Sequence, residues 1–348
     1  MFVMTEDDLK YNNENRYERV GIVIPDVLLQ DYIERLFDHL LKDYRVEVFI
    51  DDCRPLMNDA FRIELRNYLN LLNAEQIGVF IYTGSISFFN TMFVMSGVDI
   101  NECDQNISKR FGIIIPGNLV QQYLQKWFEY LLDPTTYVSG FINYCRPLRN
   151  YAFRTALHTY MNSFTKEQIT FLIQNGSTNF LNTMFVMTKD DIRHDTKNRY
   201  DCFGFVLSGD LLQQYIEKWF DKLTNHYRID EFINTCRPLM NFAFKTALRS
   251  YIGILNTESI DTLIQNGSKE FFNKMFVTSE NDFKDDPNNI YECIGIVIPD
   301  DLLHQYIGRW FEELKKRRKI SDIFKRKQTF TKCYISQCIA YLHDTKQR

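Results

Sequence analysis

Apolar residues recur along the chain at steps of three and four, and this spacing predicts amphipathic helices. The clearest case follows Pro25 and Asp26, which together supply a helix start. Its apolar positions fall on one stripe: Leu29, Tyr32, Ile33, Leu36, Phe37, Leu40 and Leu41. Fully burying one leucine or phenylalanine contributes about 1.5–3 kcal/mol, so we expect the stripe to anchor this helix to a core.

The same stripe occurs four times, and each copy follows a glycine and a short apolar run. The glycines are Gly21, Gly112, Gly204 and Gly295. Each copy carries an aromatic pair or its equivalent at one fixed distance from the glycine: Leu36–Phe37, Trp127–Phe128, Trp219–Phe220 and Trp310–Phe311. Met-Phe-Val precedes each copy, at Met1, Met92, Met184 and Met275. The pattern predicts a mainly α fold made of tandem helical repeats of roughly 91 residues.

The repeat predicts three full modules and a truncated one. The boundaries are residues 1–91, 92–183, 184–274 and 275–348. The last module diverges because Lys327-Gln328-Thr329 stands where the others have Cys-Arg-Pro, and we expect a basic capping module there. The period is much longer than that of ankyrin, tetratricopeptide or leucine-rich repeats.

Each module is expected to hold one or two very short β-strands. The run Gly-Ile-Val-Ile-Pro, from Gly21 to Pro25, has three β-branched residues, which favours a short buried strand. So short a run also fits coil, and the pattern does not choose between the two.

Three further helices are predicted in each full module. One carries Phe-Ile-x-x-Cys-Arg-Pro-Leu, and because proline is tolerated only in the first turn, its N-caps are expected before the cysteine. The other two begin at capping residues and are separated by a glycine, and the Asn-Gly pairs at Gly176 and Gly267 suit a left-handed C-cap. The three sets of capping residues are Asp51, Asn143 and Asn234; Asn73, Thr165 and Thr257; and Ser85, Ser177 and Ser268. Gln76 and Gln168 complete capping boxes with Asn73 and Thr165. The glycines are Gly84, Gly176 and Gly267.

The recurring Cys-Arg-Pro-Leu motif has a chemical and a structural interpretation. A cysteine in the first turn of a helix beside arginine can act as a nucleophile with a lowered pKa. Alternatively, the cysteine is a small buried apolar residue, the arginine pairs with a carboxylate of a neighbouring module, and the proline starts the helix. No histidine recurs near the motif, which favours the structural interpretation, and no catalytic residue is assigned.

The tryptophans and the cysteines are also expected to be structural. Trp127, Trp219 and Trp310 lie on the apolar stripe, which favours core packing over a platform for stacking bases. Equivalent cysteines lie a module apart, too far for a disulfide, so a reduced intracellular protein is expected. The chain carries no phosphate loop, dinucleotide fingerprint or zinc-protease motif, so no cofactor and no metal site is predicted.

Charge is distributed unevenly along the chain. From Arg309 to Arg348 there are twelve Lys/Arg and four Asp/Glu, a balance of +8, whereas the remainder holds 29 basic and 41 acidic residues, a balance of −12. The acidic excess argues against nucleic-acid binding along the body of the chain. The basic end predicts contact with an anionic partner through Lys315, Lys316, Arg317, Arg318, Lys319, Lys325, Arg326 and Lys327.

These patterns favour a non-enzymatic scaffold or adaptor that engages another protein through the acidic loops and the groove between modules. One alternative is a nucleic-acid-associated or nuclear protein acting through its basic end. A second is an enzyme with a site between modules. No apolar run reaches the ~18–20 residues that span a bilayer, so a cytoplasmic or nuclear location without a membrane span is expected.

Overall fold

The computed structural model describes residues 2–5, 21–100, 106–192, 199–277, 279 and 294–315. These residues are mainly helical, as predicted. Sixteen α-helices lie in this part of the chain: α1 Asp26–Lys42, α2 Val46–Asp51, α3 Asp59–Leu71, α4 Ala74–Thr83, α5 Ile86–Met92, α6 Val120–Leu132, α7 Val138–Tyr144, α8 Tyr151–Asn162, α9 Lys166–Asn175, α10 Thr178–Met184, α11 Asp210–Asn225, α12 Ile229–Asn234, α13 Phe242–Gly253, α14 Thr257–Asn266, α15 Lys269–Lys274 and α16 Leu303–Lys315.

Strands of two residues precede the long helices. They are β1 Phe2–Val3, β2 Ile22–Val23, β3 Phe93–Val94, β4 Ile113–Ile114, β5 Phe185–Val186, β6 Phe205–Val206, β7 Phe276–Val277 and β8 Ile296–Val297. Each of three pairs is parallel, with Phe2 opposite Ile22, Phe93 opposite Ile113 and Phe276 opposite Ile296. The Gly-Ile-Val-Ile-Pro runs therefore contribute strands, and their partners are the Phe-Val residues of Met-Phe-Val.

The chain divides into two compact units. One comprises residues 1–184 and 190–205 and contains α1–α10, and the other comprises residues 185–189 and 206–348 and contains α11–α16. In the first unit the predicted stripe is buried at Ile33, Leu36, Phe37 and Leu40. The ring of Phe37 lies 5.0 Å from that of Phe80 and 5.5 Å from that of Phe88, so α1 packs on α4 and α5 through aromatic contacts.

The second unit is built around Trp219 of α11, which is fully buried. Its ring lies 5.1 Å from Phe232 of α12 and 6.1 Å from Phe244 of α13. Phe220 contacts Tyr251 and Phe271 at 5.6 and 5.9 Å. Adjacent aromatic residues of α11 therefore join it to three different helices of the unit, α12, α13 and α15.

The helix expected to carry Cys-Arg-Pro-Leu is in fact interrupted there. Asp51 and Asn234 are the last residues of α2 and α12, and Asn143 lies in the last turn of α7, so their prediction as N-caps is wrong. In each motif the proline is the first or second residue of a 3₁₀ helix, and the α-helix that follows is capped by an asparagine further along the chain. Those caps are Asn58, Asn150 and Asn241, whose side chains accept hydrogen bonds from backbone N–H groups.

The other predicted caps are largely confirmed. Asn73 and Thr165 form the predicted capping boxes with Gln76 and Gln168, whereas the third helix is capped by Asn256, one residue before Thr257. The Oγ atoms of the three serines accept the predicted hydrogen bonds from the N–H groups of Phe88, Phe180 and Phe271.

The glycines before these serines are not left-handed. Gly84, Gly176 and Gly267 have φ values of −64°, −61° and −57°. A Cβ on Gly84 would stand 2.7 Å from Cδ1 of Phe88 and 2.8 Å from the carbonyl oxygen of Phe80. Glycine is required here because an aromatic ring and a backbone carbonyl approach the backbone closely.

Candidate functional site

The cysteines of the Cys-Arg-Pro-Leu motifs lie in the core. Cys145 and Cys236 are fully buried, and their Sγ atoms lie 4.0 Å from Tyr123 Oη and 3.9 Å from Tyr215 Oη. Burial raises the pKa of Cys145 from 9.0 to about 11 and that of Cys236 to about 12. The pKa of Cys53 is raised to about 11 for the same reason. These thiols are therefore protonated at neutral pH, whereas the nucleophile interpretation needs a thiolate.

Arg146 binds backbone carbonyls rather than the predicted carboxylate. The residue is buried, with 7% of its surface exposed. Its Nη1 donates to the carbonyl oxygens of Thr91 at 2.6 Å, Ser108 at 3.0 Å and Phe111 at 2.9 Å, and Nη2 donates to Lys109 at 3.3 Å. Burial lowers the pKa of this guanidinium to about 10, so it remains charged at neutral pH. Arg146 thus fixes the backbone before β4 against the end of α5.

A second polar contact fixes the backbone after β3. The Nδ2 of Asn150 lies 2.9 Å from both carboxylate oxygens of Asp99, while its Oδ1 caps α8. Asp99 also accepts hydrogen bonds from the backbone N–H groups of Met95 and Ser96. The 3₁₀ helix Gly97–Asp99 is therefore held to the start of α8.

The segment after β3, the segment around β4 and helix α3 form the walls of an open cleft of about 330 Å³ within the first unit. We call it the α3 cleft, and its lining residues are Arg66, Leu69, Asn70, Gly97, Ile100, Gly112 and Ile114. Ile114 is 42% exposed, and Arg66 donates through Nε and Nη2 to the carbonyl oxygen of Arg110 at 3.2 and 3.0 Å. The volume is near the lower end of the range for ligand pockets. With three apolar side chains, an amide and a guanidinium, the cleft can hold a small apolar group and orient polar atoms beside it.

The sequence-predicted residues fall elsewhere. Trp127, Trp219 and Trp310 are buried, as the core interpretation predicted. Lys315 is the last residue of α16, and only its backbone is described. The other predicted basic residues lie outside the described residues: Lys316, Arg317, Arg318, Lys319, Lys325, Arg326 and Lys327.

Sequence analysis missed the lining of the α3 cleft because α3 and β4 are far apart along the chain. The one available signal was Gly112, which recurs as Gly21, Gly204 and Gly295. A Cβ there would lie 3.1 Å from the carbonyl oxygen of Met92, so the glycine marks where two backbone segments approach closely.

The described residues also bear on metal binding, disulfide formation and membrane spanning. Within these residues, no three His, Cys, Asp or Glu side chains are grouped as metal ligands. Cys53, Cys145, Cys202 and Cys236, the four cysteines in this part of the chain, are buried and form no disulfide. No helix described here has the length and apolar character needed to cross a membrane. Comparison with protein-family models, curated proteins and solved structures gave no match for this chain.

Proposed function

We propose that this protein is a scaffold or adaptor of tandem helical modules, and that it binds another protein through the α3 cleft. The observation that carries the proposal is the combination of exposed apolar surface at Ile114 with walls that are fixed by polar contacts. Arg146 and the Asp99–Asn150 contact hold both segments in place. A preformed site of this kind binds without first ordering its own backbone, which favours affinity.

The modular organisation is supported by the recurrence of structural details. A tyrosine approaches the motif cysteine at Tyr123–Cys145 and at Tyr215–Cys236. The serine caps recur at Ser85, Ser177 and Ser268, each after a glycine with an extended backbone. In a modular chain the α3 cleft lies between α3 of the first module and the opening segment of the second, where the sequence predicts a groove.

The partner is expected to insert an apolar side chain from its surface. Leu69, Ile100 and Ile114 provide the apolar contacts, and Arg66 and Asn70 add a cation and an amide for polar atoms next to the inserted group. The cleft is too small for an extensive interface, so it serves as the anchor pocket of a larger contact.

The test is to fill the cleft without disturbing the fold. Gly97 opens the 3₁₀ helix Gly97–Asp99, and a Cβ there would meet nothing within 4 Å. Gly117 is likewise the first residue of a 3₁₀ helix, Gly117–Leu119, and a Cβ there would also meet nothing within 4 Å. Unlike Gly97, it does not line the cleft. Gly97→Phe and Gly117→Phe are therefore a matched pair.

Full-length wild type and both variants would serve as baits in affinity capture from the native cell, with quantitative mass spectrometry. We expect a partner that wild type and Gly117→Phe recover equally, and that Gly97→Phe recovers at least about tenfold less, which corresponds to about 1.4 kcal/mol. Equal recovery by all three baits, with unchanged melting temperatures, would remove the cleft as the binding site.

Nucleic-acid association through the basic end remains the second candidate. It is favoured by one observation, the charge balance of +8 from Arg309 to Arg348. Binding of this kind weakens steeply with salt, whereas insertion of an apolar group depends on salt much less.

A further inference from the structure

An apolar surface is exposed beside β1, the first described element of the chain. It consists of Phe2 and Ile22 from the first strand pair together with Leu28, Tyr32 and Arg35 from α1, and we call it the N-terminal face. Phe2 is 42% exposed, Ile22 52% and Leu28 50%. None of these residues lines the α3 cleft.

The corresponding surface on α6 is covered by α4 and α5. Leu119, which stands in the place of Leu28, is 6% exposed. Tyr123, which stands in the place of Tyr32, stacks on Phe89 with ring centroids 4.1 Å apart and donates to its carbonyl oxygen at 3.2 Å. Further along α6, Tyr130 Oη donates to the carbonyl oxygen of Gly84 at 2.9 Å. The cover is therefore a helix, a glycine and a second, short helix that supplies an aromatic ring.

The same arrangement occurs in the second unit, where α14 and α15 cover α16. Tyr306 stacks on Phe272 with ring centroids 4.5 Å apart, and Leu302 is 5% exposed. Arg309, which stands in the place of Arg35, donates to the carbonyl oxygen of Gly267 at 2.7 Å and lies 4.7 Å from the ring centroid of Phe272. Two units, each considered alone, thus cover this surface with the same kind of helix pair.

Beneath the N-terminal face, the contact between the first strand and α1 matches the contact found beneath the two covered surfaces. Phe2 contacts Tyr32 at 5.2 Å, as Phe93 contacts Tyr123 at 5.4 Å and Phe276 contacts Tyr306 at 5.4 Å. Moreover, Val27 is 86% exposed at a position where the chain elsewhere has Asn118, Asp210 and Asp301. The face is therefore more apolar at its edge than the covered surfaces are.

We infer that the N-terminal face docks a helix pair of a partner protein that resembles α4–α5. The partner's short helix carries two consecutive aromatic residues as its third and fourth residues, as α5 and α15 do. The second aromatic ring stacks on Tyr32, and the carbonyl oxygen of the glycine between the helices accepts a hydrogen bond from Arg35. A second copy of this chain is a poorer occupant, because its α5 and α15 already cover α6 and α16.

The inference can be tested on the full chain by supplying the helix pair covalently. Residues 73–91 precede Met92 directly, so a duplicate of this segment placed before Met1 repeats a junction that the chain already uses. We expect the fused pair to raise the melting temperature of the first unit by at least about 4 °C, given about 2–4 °C for each kcal/mol in a cooperative unit of roughly 150–250 residues.

Two controls distinguish docking from an unspecific effect of the added residues. The rise should disappear when both phenylalanines of the duplicated segment are replaced by serine, and also when the fusion carries Tyr32→Ala, measured against unfused Tyr32→Ala. An equal rise in the serine control, or no rise in the fusion itself, would overturn the inference.

The unmodified chain tests the other occupants. Light scattering should give a monomer, and Leu28→Cys should react with a thiol reagent as fast as an exposed thiol does. A dimer that Leu28→Glu dissociates would assign the face to a second copy and overturn the partner inference. Slow labelling of Leu28→Cys in a monomer would show that this chain covers the face itself, with the same consequence. Gly97→Phe should change none of these results, so this inference and the α3 cleft can fail separately.

Discussion

The guanidinium of Arg146 donates through Nη1 to the carbonyl oxygen of Thr91 at 2.6 Å, one of four carbonyl acceptors of which three are in buried contacts. Replacing Arg146 with Met leaves those acceptors without their donor, and each unsatisfied buried group costs about 1–3 kcal/mol. We expect Arg146→Met to destabilise the first unit by on the order of 3 kcal/mol in urea unfolding. Arg149→Met is the matched control because Arg149 is exposed, and its effect should stay within about 0.5 kcal/mol. Equal losses in both variants would contradict the carbonyl contacts.

The raised thiol pKa values predict a loss of stability at alkaline pH. Cys145 ionises near pH 9.0 when unfolded and only near pH 11 when folded, so above pH 9 the unfolded state binds fewer protons. Its stabilising contribution is therefore complete below about pH 9 and is lost as the pH rises towards 11. Cys236 acts in the same direction. Cys145→Ala with Cys236→Ala should flatten the decline in the urea midpoint between about pH 9 and pH 10. An unchanged decline would mean that other groups, such as Tyr123 and Tyr215, dominate it.

Trp219 is the test of core packing in the second unit. It is fully buried against Phe232 and Phe244, and truncating a buried aromatic residue to alanine costs about 3–5 kcal/mol. Trp219→Ala should therefore lower the unfolding midpoint strongly. Phe242→Ala removes a ring that is 77% exposed in the same unit and should change the midpoint little. A melting temperature near that of wild type for Trp219→Ala would revive the stacking-platform interpretation.

Two glycines of the second unit predict opposite responses to alanine. A Cβ on Gly267 would lie 2.7 Å from the carbonyl oxygen of Leu263 and 2.9 Å from Cδ1 of Phe271, so Gly267→Ala should lower the melting temperature. A Cβ on Gly253 would meet nothing within 4 Å, and alanine in a helix is favoured over glycine by about 0.5–1 kcal/mol. Gly253→Ala should therefore be neutral or stabilising. A tolerated Gly267→Ala would show that the close approach can relax.

The basic end carries a prediction that rests on sequence alone. Replacing Lys315, Lys316, Arg317, Arg318 and Lys319 together with Gln should leave folding nearly unchanged, since exposed charges contribute less than ~1 kcal/mol each. The variant should lose salt-sensitive retention on heparin or nuclear accumulation. If it keeps both, the basic run contributes to neither property.

Local pattern predicted the helices well because their apolar stripes record burial directly. Ile33, Leu36, Phe37 and Leu40 were all placed correctly, and so were the capping boxes that begin at Asn73 and Thr165. The errors arose where tertiary contacts decide the outcome. Asp51 is an acceptable N-cap residue, yet Asn58 is the cap because a 3₁₀ turn separates the two helices.

The candidate site was less accessible to prediction than the fold. Gly176 was expected to be left-handed because glycine commonly is at helix ends, but glycine is needed there because the ring of Phe180 approaches its backbone closely. The α3 cleft joins Arg66 to Ile114, which are remote in sequence, and no local spacing indicates that they meet. The carbonyl partners of Arg146 were hidden for the same reason.

The two-residue strand pairs also determine where this chain can accept foreign sequence. β3 and β4 lie side by side, and the N–H of Ile115 donates to the carbonyl oxygen of Val94 at 2.9 Å. Asp99 and Arg146 fix the backbone just inside each end of the intervening segment. Lengthening a segment whose ends are already fixed costs only about 0.6 kcal/mol for each doubling. We therefore expect an epitope or reporter peptide inserted between Ile100 and Asn106 to leave the packing of the helices on either side unchanged.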